Sequence, residues 1–152
     1  MWDNYNSRFR EKTMNKAIFA TLALATSVAF AGPAFAEKYK AALDGKSENP
    51  PTTSTGTGTA DIDYDAATKK LSWKLTYTGL SGPATAAHFH GPAEVGKNAG
   101  VEVAIPGATS SPAEGSATLT DAQAADLAAG KLYVNVHTAA NPGGEIRGQV
   151  TK

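Results

Sequence analysis

The chain has 152 residues, with 14 Lys plus Arg against 14 Asp plus Glu, and it contains no cysteine. That balance offers no basic patch to neutralise phosphates, which excludes an electrostatically driven nucleic-acid partner. The missing cysteines exclude disulfides, thiolate metal ligands and thiol nucleophiles together.

The first recognisable element is a leader. Residues 14–36, MNKAIFATLALATSVAFAGPAFA, place Lys16 before an apolar run from Ala17 to Ala31, and small residues at Ala34 and Ala36 precede Glu37. This is the layout of a secretory signal peptide with an A-x-A cleavage site. Residues 1–13, with Arg8, Arg10 and Lys12, read as an upstream start or an extended basic region, so residues 1–36 are expected to be removed together. The apolar run is too short for a permanent span, and no longer one follows, so no membrane span is expected after processing. The expected location is periplasmic or secreted. The mature domain is then 37–152, with ten Lys plus Arg against twelve Asp plus Glu, a net charge of −2.

Along the mature domain the dominant signal is period-two alternation between turn clusters, the mark of half-buried strands. KYKAAL (Lys38–Leu43) comes first, followed by the turn-rich DGKSENPPTTSTG. In GTADIDYD (Gly58–Asp65), Ala60, Ile62 and Tyr64 face one way and the aspartates the other. The AATKK turn leads to LSWKLTYTGL, where Leu71, Trp73, Leu75 and Tyr77 form the apolar face and Trp73 is expected at the centre of the core. ATAAHFH (84–90), VEVAI (101–105), GSATLT (115–120), KLYVNVHT (131–138) and EIRGQV (145–150) continue the pattern. Only DAQAADLAAG (121–130) has helical character, with Thr120 as N-cap and Gly130 as the stop. The predicted class is all-β: an antiparallel Greek-key β-sandwich or barrel of about eight strands with one short helix.

All three histidines fall on polar faces of these strands. In ATAAHFH, Phe89 belongs to the core-facing set and His88 and His90 to the other; in LYVNVHT, Leu132, Val134 and Val136 are apolar, leaving Tyr133, Asn135 and His137 opposite. Residues two apart on a strand share a face, roughly 6 to 7 Å from one another. If the two strands pair, His88, His90 and His137 converge as a candidate three-imidazole site for copper or zinc, with an open position for water. The competing reading is structural: the histidines hydrogen-bond loops, and Asn135, Glu145 and Arg147 complete a polar network on one sheet surface. Other chemistry fails on inspection. DIDYDAATKKLS starts like a calcium loop but has Ala66 where glycine is needed and Ser72 where the bidentate glutamate belongs. TSTGTGTA lacks the lysine and helix of a phosphate loop, and no G-x-S-x-G elbow occurs.

AHFHGPAEVGKNAGVEVAI, then LTDAQAADLAAGKLYVNVHTAANPGGEIRGQV, resembles the CHRD domain, a family named for chordin and found in many exported bacterial proteins. The family pattern carries an A-H-[IF]-H-G-P-A segment, an L-x-x-G-x-x-Y-V-N-V-H-T strand and a closing N-P-G-G-E-I-R-G. LDGKSENPPTTSTGTGTA resembles its opening, with Glu48 as the acidic residue before the double proline and Asn49 where an apolar residue is commoner. The resemblance runs from about residue 38 to residue 150. It implies a β-sandwich module and maps the motif histidines onto His88, His90 and His137. Growth-factor binding by animal chordin does not transfer to a chain with a bacterial-type export signal. The expected function is a non-enzymatic binding module whose partner is a metal ion or an extracytoplasmic protein. The alternatives are a structural or protein-interaction β-sandwich without metal, and a copper redox enzyme resembling superoxide dismutase. The last needs further histidines and a bridging ligand that this chain lacks.

Overall fold

The structure is a computed structural model that describes residues 36–152; the predicted leader, Ala36 apart, lies outside them. The alternating segments become β1 (Glu37–Asp44), β2 (Thr57–Asp65), β3 (Lys70–Thr78), β4 (Ala84–His90), β5 (Val101–Ala104), β6 (Ala113–Thr118), β7 (Tyr133–Thr138) and β8 (Ile146–Gln149), with α1 (Asp121–Ala128) before β7. Every pairing is antiparallel, and the spatial order is β5-β4-β7-β8-β1-β2-β3-β6. The eight strands form one nearly closed, barrel-like sheet.

Alternation decides what fills it. In β1 every second residue is buried, and β2 and β3 repeat this with Ala60, Ile62 and Tyr64 and with Leu71, Trp73 and Leu75. Trp73 meets Phe89 of β4 edge to face, ring centroids 5.3 Å apart. β3 and β4 are distant in the sheet order, so this contact crosses the interior and marks the centre of the core. Gly115 lies opposite Trp73 on β6, and a Cβ there would stand 2.8 Å from the indole ring, so the absent side chain makes room for the tryptophan.

Two boundaries differ from the sequence pattern for a local reason, and one holds. β6 ends at Thr118 because Thr120 has left the ladder to cap α1: its Oγ1 accepts from the Gln123 N–H and the Gln123 side chain accepts from the Thr120 N–H. The helix stops as expected near Gly130, which has φ +69°. β8 begins at Ile146 because Gly144, at φ +132°, turns the chain just before it.

The larger difference concerns β7. A two-faced strand was expected, yet Tyr133 through Val136 are all buried. The loops after β1 and β4 fold over the polar face and are tied to one another, Asn49 Nδ2 donating to the Gly96 carbonyl at 2.9 Å and Asn98 Nδ2 to the Asn49 carbonyl at 2.8 Å. A second, polar layer thus covers the outside of the sheet at β4, β7 and β8, and the histidines lie within it.

Candidate metal centre

Strand register assembles the cluster. β4 and β7 pair His90 with Tyr133, His88 with Asn135 and Ala86 with His137, so His137 sits one same-face step from the residue opposite His88. One ligand nitrogen from each of His88, His90 and His137 lies within 4.8 Å of the others. His88 Nδ1 is 3.0 Å from His137 Nε2. Around a tetrahedral zinc with Zn–N of about 2.0–2.1 Å, ligand nitrogens stand roughly 3.3 Å apart, so the His88–His137 pair must open slightly and the wider separations close for the set to hold an ion.

The outer ring nitrogens fix the tautomers. His90 Nδ1 lies 3.0 Å from the Ala99 carbonyl and His137 Nδ1 lies 3.0 Å from the Pro142 carbonyl. A carbonyl only accepts, so both Nδ1 atoms carry the proton and both Nε2 atoms present a lone pair. His137 Nε2 receives the His88 Nδ1–H. His90 Nε2 is buried and has no hydrogen-bond partner among the described residues. An orphaned buried polar atom costs about 1–3 kcal/mol, and a metal ion is a partner that three imidazoles can share.

Electrostatics favour the neutral, ligating form. Burial pushes the His88 pKa down, and the neighbouring His137 and His90 push it further. Burial also lowers that of His137; its bond to the Pro142 carbonyl works against this and His90 adds to it.

The sequence model of the family described as CHRD domain matches residues 39–150, well over half of the chain. The chain belongs to the CHRD family. No curated protein and no solved structure matches it. The conspicuous CHRD motifs all contribute to this one surface: H-F-H-G-P supplies His88 and His90, Y-V-N-V-H supplies Tyr133, Asn135 and His137, and N-P-G-G-E-I-R-G supplies the Pro142 carbonyl and Arg147.

Of the polar residues expected around the CHRD histidines, two are there and one is not. Asn135 is buried between His88 and Arg147 in the strand register, its Nδ2 3.4 Å from the Gly143 carbonyl and its Oδ1 without a partner. Arg147 is buried too, its guanidinium 3.4 Å above the Tyr133 ring centroid. Glu145 was expected to face the same way as His137, and it does not. It precedes β8, and its buried carboxylate accepts from Ser54 Oγ at 2.7 Å, Ser81 N–H and Oγ at 2.6 Å each, Thr138 Oγ1 at 2.5 Å and Asn141 Nδ2 at 3.1 Å. Thr138 belongs with Val134 and Val136 on the core-facing side of β7, so Glu145 braces the β7–β8 turn from behind the imidazoles. Burial alone raises its pKa, but the hydrogen bonds from Ser54, Ser81 and Thr138 outweigh burial and hold it at about 2.

Glu48 joins the covering layer although the sequence pattern marked it only as part of the opening motif. It is buried against Gly144, where a Cβ would stand 2.3 Å from its Oε1 and 2.6 Å from Asn135 Nδ2. Burial raises its pKa, and Arg147, the Asn49 N–H and Asn135 offset part of that. The two carbonyls that orient the imidazoles, from Ala99 and Pro142, are backbone groups and leave no residue-type signal to find.

Proposed function

We propose that this CHRD protein is an exported, non-enzymatic module that binds one copper or zinc ion through His88 Nδ1, His90 Nε2 and His137 Nε2. The observation that carries the reading is the buried, unpartnered His90 Nε2 facing two further imidazoles whose nitrogens lie within 4.8 Å. Loading requires one rearrangement, the movement of the His88 proton from Nδ1 to Nε2, which frees the third lone pair. Three neutral imidazoles suit either ion and leave a fourth position for water or another ligand.

A structural module without metal is the second reading, favoured by the His88–His137 and His137–Pro142 contacts, each 3.0 Å and each made without an ion. It leaves His90 Nε2 unexplained. Thermal melts separate the two. An ion bound only by the folded state at a free concentration about 100 times its Kd adds about 2.7 kcal/mol, a rise of roughly 10 °C for a domain of this size. The metal reading expects that rise with Cu(II) or Zn(II) and its reversal by chelator. Unchanged melts with both ions leave the structural reading.

The pH dependence has a definite sign. Protons compete with metal for the imidazoles. Because burial holds the pKa values of His88 and His137 below the ordinary imidazole value, protons displace metal from these two ligands only at lower pH than from ordinary imidazoles, and affinity is expected to fall as pH is lowered. A titration by competition with a chromophoric chelator measures this; affinity that does not fall as pH is lowered contradicts a site built on imidazoles.

Export rests on the leader in residues 1–36. Protein recovered from outside the cytoplasm is expected to begin at Glu37 on N-terminal sequencing. A mature start at Met1 or Met14 overturns the location. Among the described residues, no helix is long and apolar enough to cross a membrane.

A further inference from the structure

Next to the imidazoles stands a column of three flat groups. Tyr133 lies directly opposite His90 in the β4–β7 ladder, and the two rings are stacked, centroids 4.9 Å apart and planes 6° from parallel. On the other face of Tyr133 sits the Arg147 guanidinium, 3.4 Å from the ring centroid.

Arg147 is 1 % exposed, and among the described residues no carboxylate lies within ion-pair distance of it. The charge of Arg147 acts on the buried Glu48 carboxylate, but no direct ion pair forms, and burying a cation is costly unless its donors are satisfied. Here they are met by the loop after β4: one terminal nitrogen donates to Asn98 Oδ1 at 3.0 Å and the other to the Lys97 carbonyl at 2.5 Å, while the tyrosine face receives the charge. The next residue in that loop is gripped at both ends. The Ala99 N–H donates to Tyr133 Oη at 3.2 Å, and the Ala99 carbonyl accepts from His90 Nδ1 at 3.0 Å. Tyr133 therefore reaches His90 by two routes, through the ring stack and through Ala99, whose carbonyl also lies 3.4 Å from Tyr133 Oη.

We infer that Tyr133, clamped by Arg147, is a positioning residue for the metal centre: it fixes the plane and the tautomer of His90 so that Nε2 faces His88 and His137. The inference rests on the metal reading above and adds a residue that is not itself a ligand. A stack controls how a ring can rotate, and the bond from Nδ1 to a fixed carbonyl controls which nitrogen is free. Partners of this kind typically govern metal affinity about 10- to 100-fold.

The test compares wild type, Tyr133→Phe and Tyr133→Leu in the mature protein. Tyr133→Leu removes both routes and is expected to weaken Cu(II) or Zn(II) binding about 10- to 100-fold and to change the Cu(II) electron paramagnetic resonance spectrum. Tyr133→Phe keeps the stack and is expected to recover most of the affinity. A purely structural tyrosine would lower the melting temperature of the Leu variant yet leave its affinity and copper spectrum as in wild type, and that result overturns the inference. Should Tyr133→Leu fail to fold, Arg147→Lys takes its place, since it keeps the charge but loses the flat, forked guanidinium; affinity and spectrum identical to wild type would then refute the clamp. A wild type that binds neither ion sinks the metal reading itself. Long-range proton–nitrogen NMR of the metal-free protein tests the column independently: His90 is expected to hold its proton on Nδ1 in wild type and to become a tautomer mixture in Tyr133→Leu. An unchanged His90 tautomer counts against Tyr133.

Discussion

Replacing His137 with alanine is expected to weaken copper or zinc binding by more than about 100-fold, a larger loss than removal of an orienting partner produces. His137 is the hinge of the cluster. Its Nε2 is 3.0 Å from His88 Nδ1, and its Nδ1 is anchored 3.0 Å from the Pro142 carbonyl. Without it, His88 and His90 offer two nitrogens from one strand, and an ion must fill the remaining positions with water. The same substitution leaves β7 on the sheet, because the core contacts of that strand come from Val134 and Val136. The loss should therefore appear in a metal competition titration, with the chelator-treated melting temperature little altered. Equal affinity in His137→Ala and wild type would remove His137 from the site.

The second large effect belongs to the core. Trp73→Ala is expected to cost on the order of 3 to 5 kcal/mol, read from urea denaturation of the chelator-treated protein. The indole is 5 % exposed, fills the space left open by Gly115 and meets Phe89 edge to face across the interior. Alanine leaves a cavity between elements that the sheet holds apart, so collapse recovers little. The indole Nε1 is buried without a hydrogen-bond partner, so truncation sacrifices packing and no hydrogen bond. Trp73→Phe is accordingly expected to lose much less than Trp73→Ala. A loss below about 1 kcal/mol in the alanine variant would place this side chain outside the core.

Period-two alternation was enough to find the eight strands, because burying one face of a sheet imposes that period on the residues themselves. Trp73, Phe89 and the valines of β7 follow it without exception. Grouping His88, His90 and His137 on one polar face also followed from strand parity, given only that β4 and β7 pair. Parity failed at Glu145. A single glycine at φ +132° rotates the chain ahead of β8, and an alternation count has no means of registering that turn. Nor did alternation reveal that the polar face is roofed. The burial of His90, Tyr133 and Arg147 comes from loop residues such as Asn49, Asn98 and Ala99, which contribute through backbone carbonyls and long-range hydrogen bonds. Such contacts depend on where a loop lands, and residue type alone carries little record of it. The stack of His90, Tyr133 and Arg147 was divided among three sequence motifs and became one object only in the folded chain.

Native mass spectrometry of the mature protein, titrated with Zn(II) and separately with Cu(II) under conditions that preserve the fold, tests most directly whether the three histidines form a metal site. Wild type is expected to take up a single ion per chain at near-stoichiometric metal, and the variant with His88, His90 and His137 all replaced by alanine is expected to take up none. Metal-free wild type at excess of both ions, or an ion retained by the triple variant, would contradict the three-histidine centre.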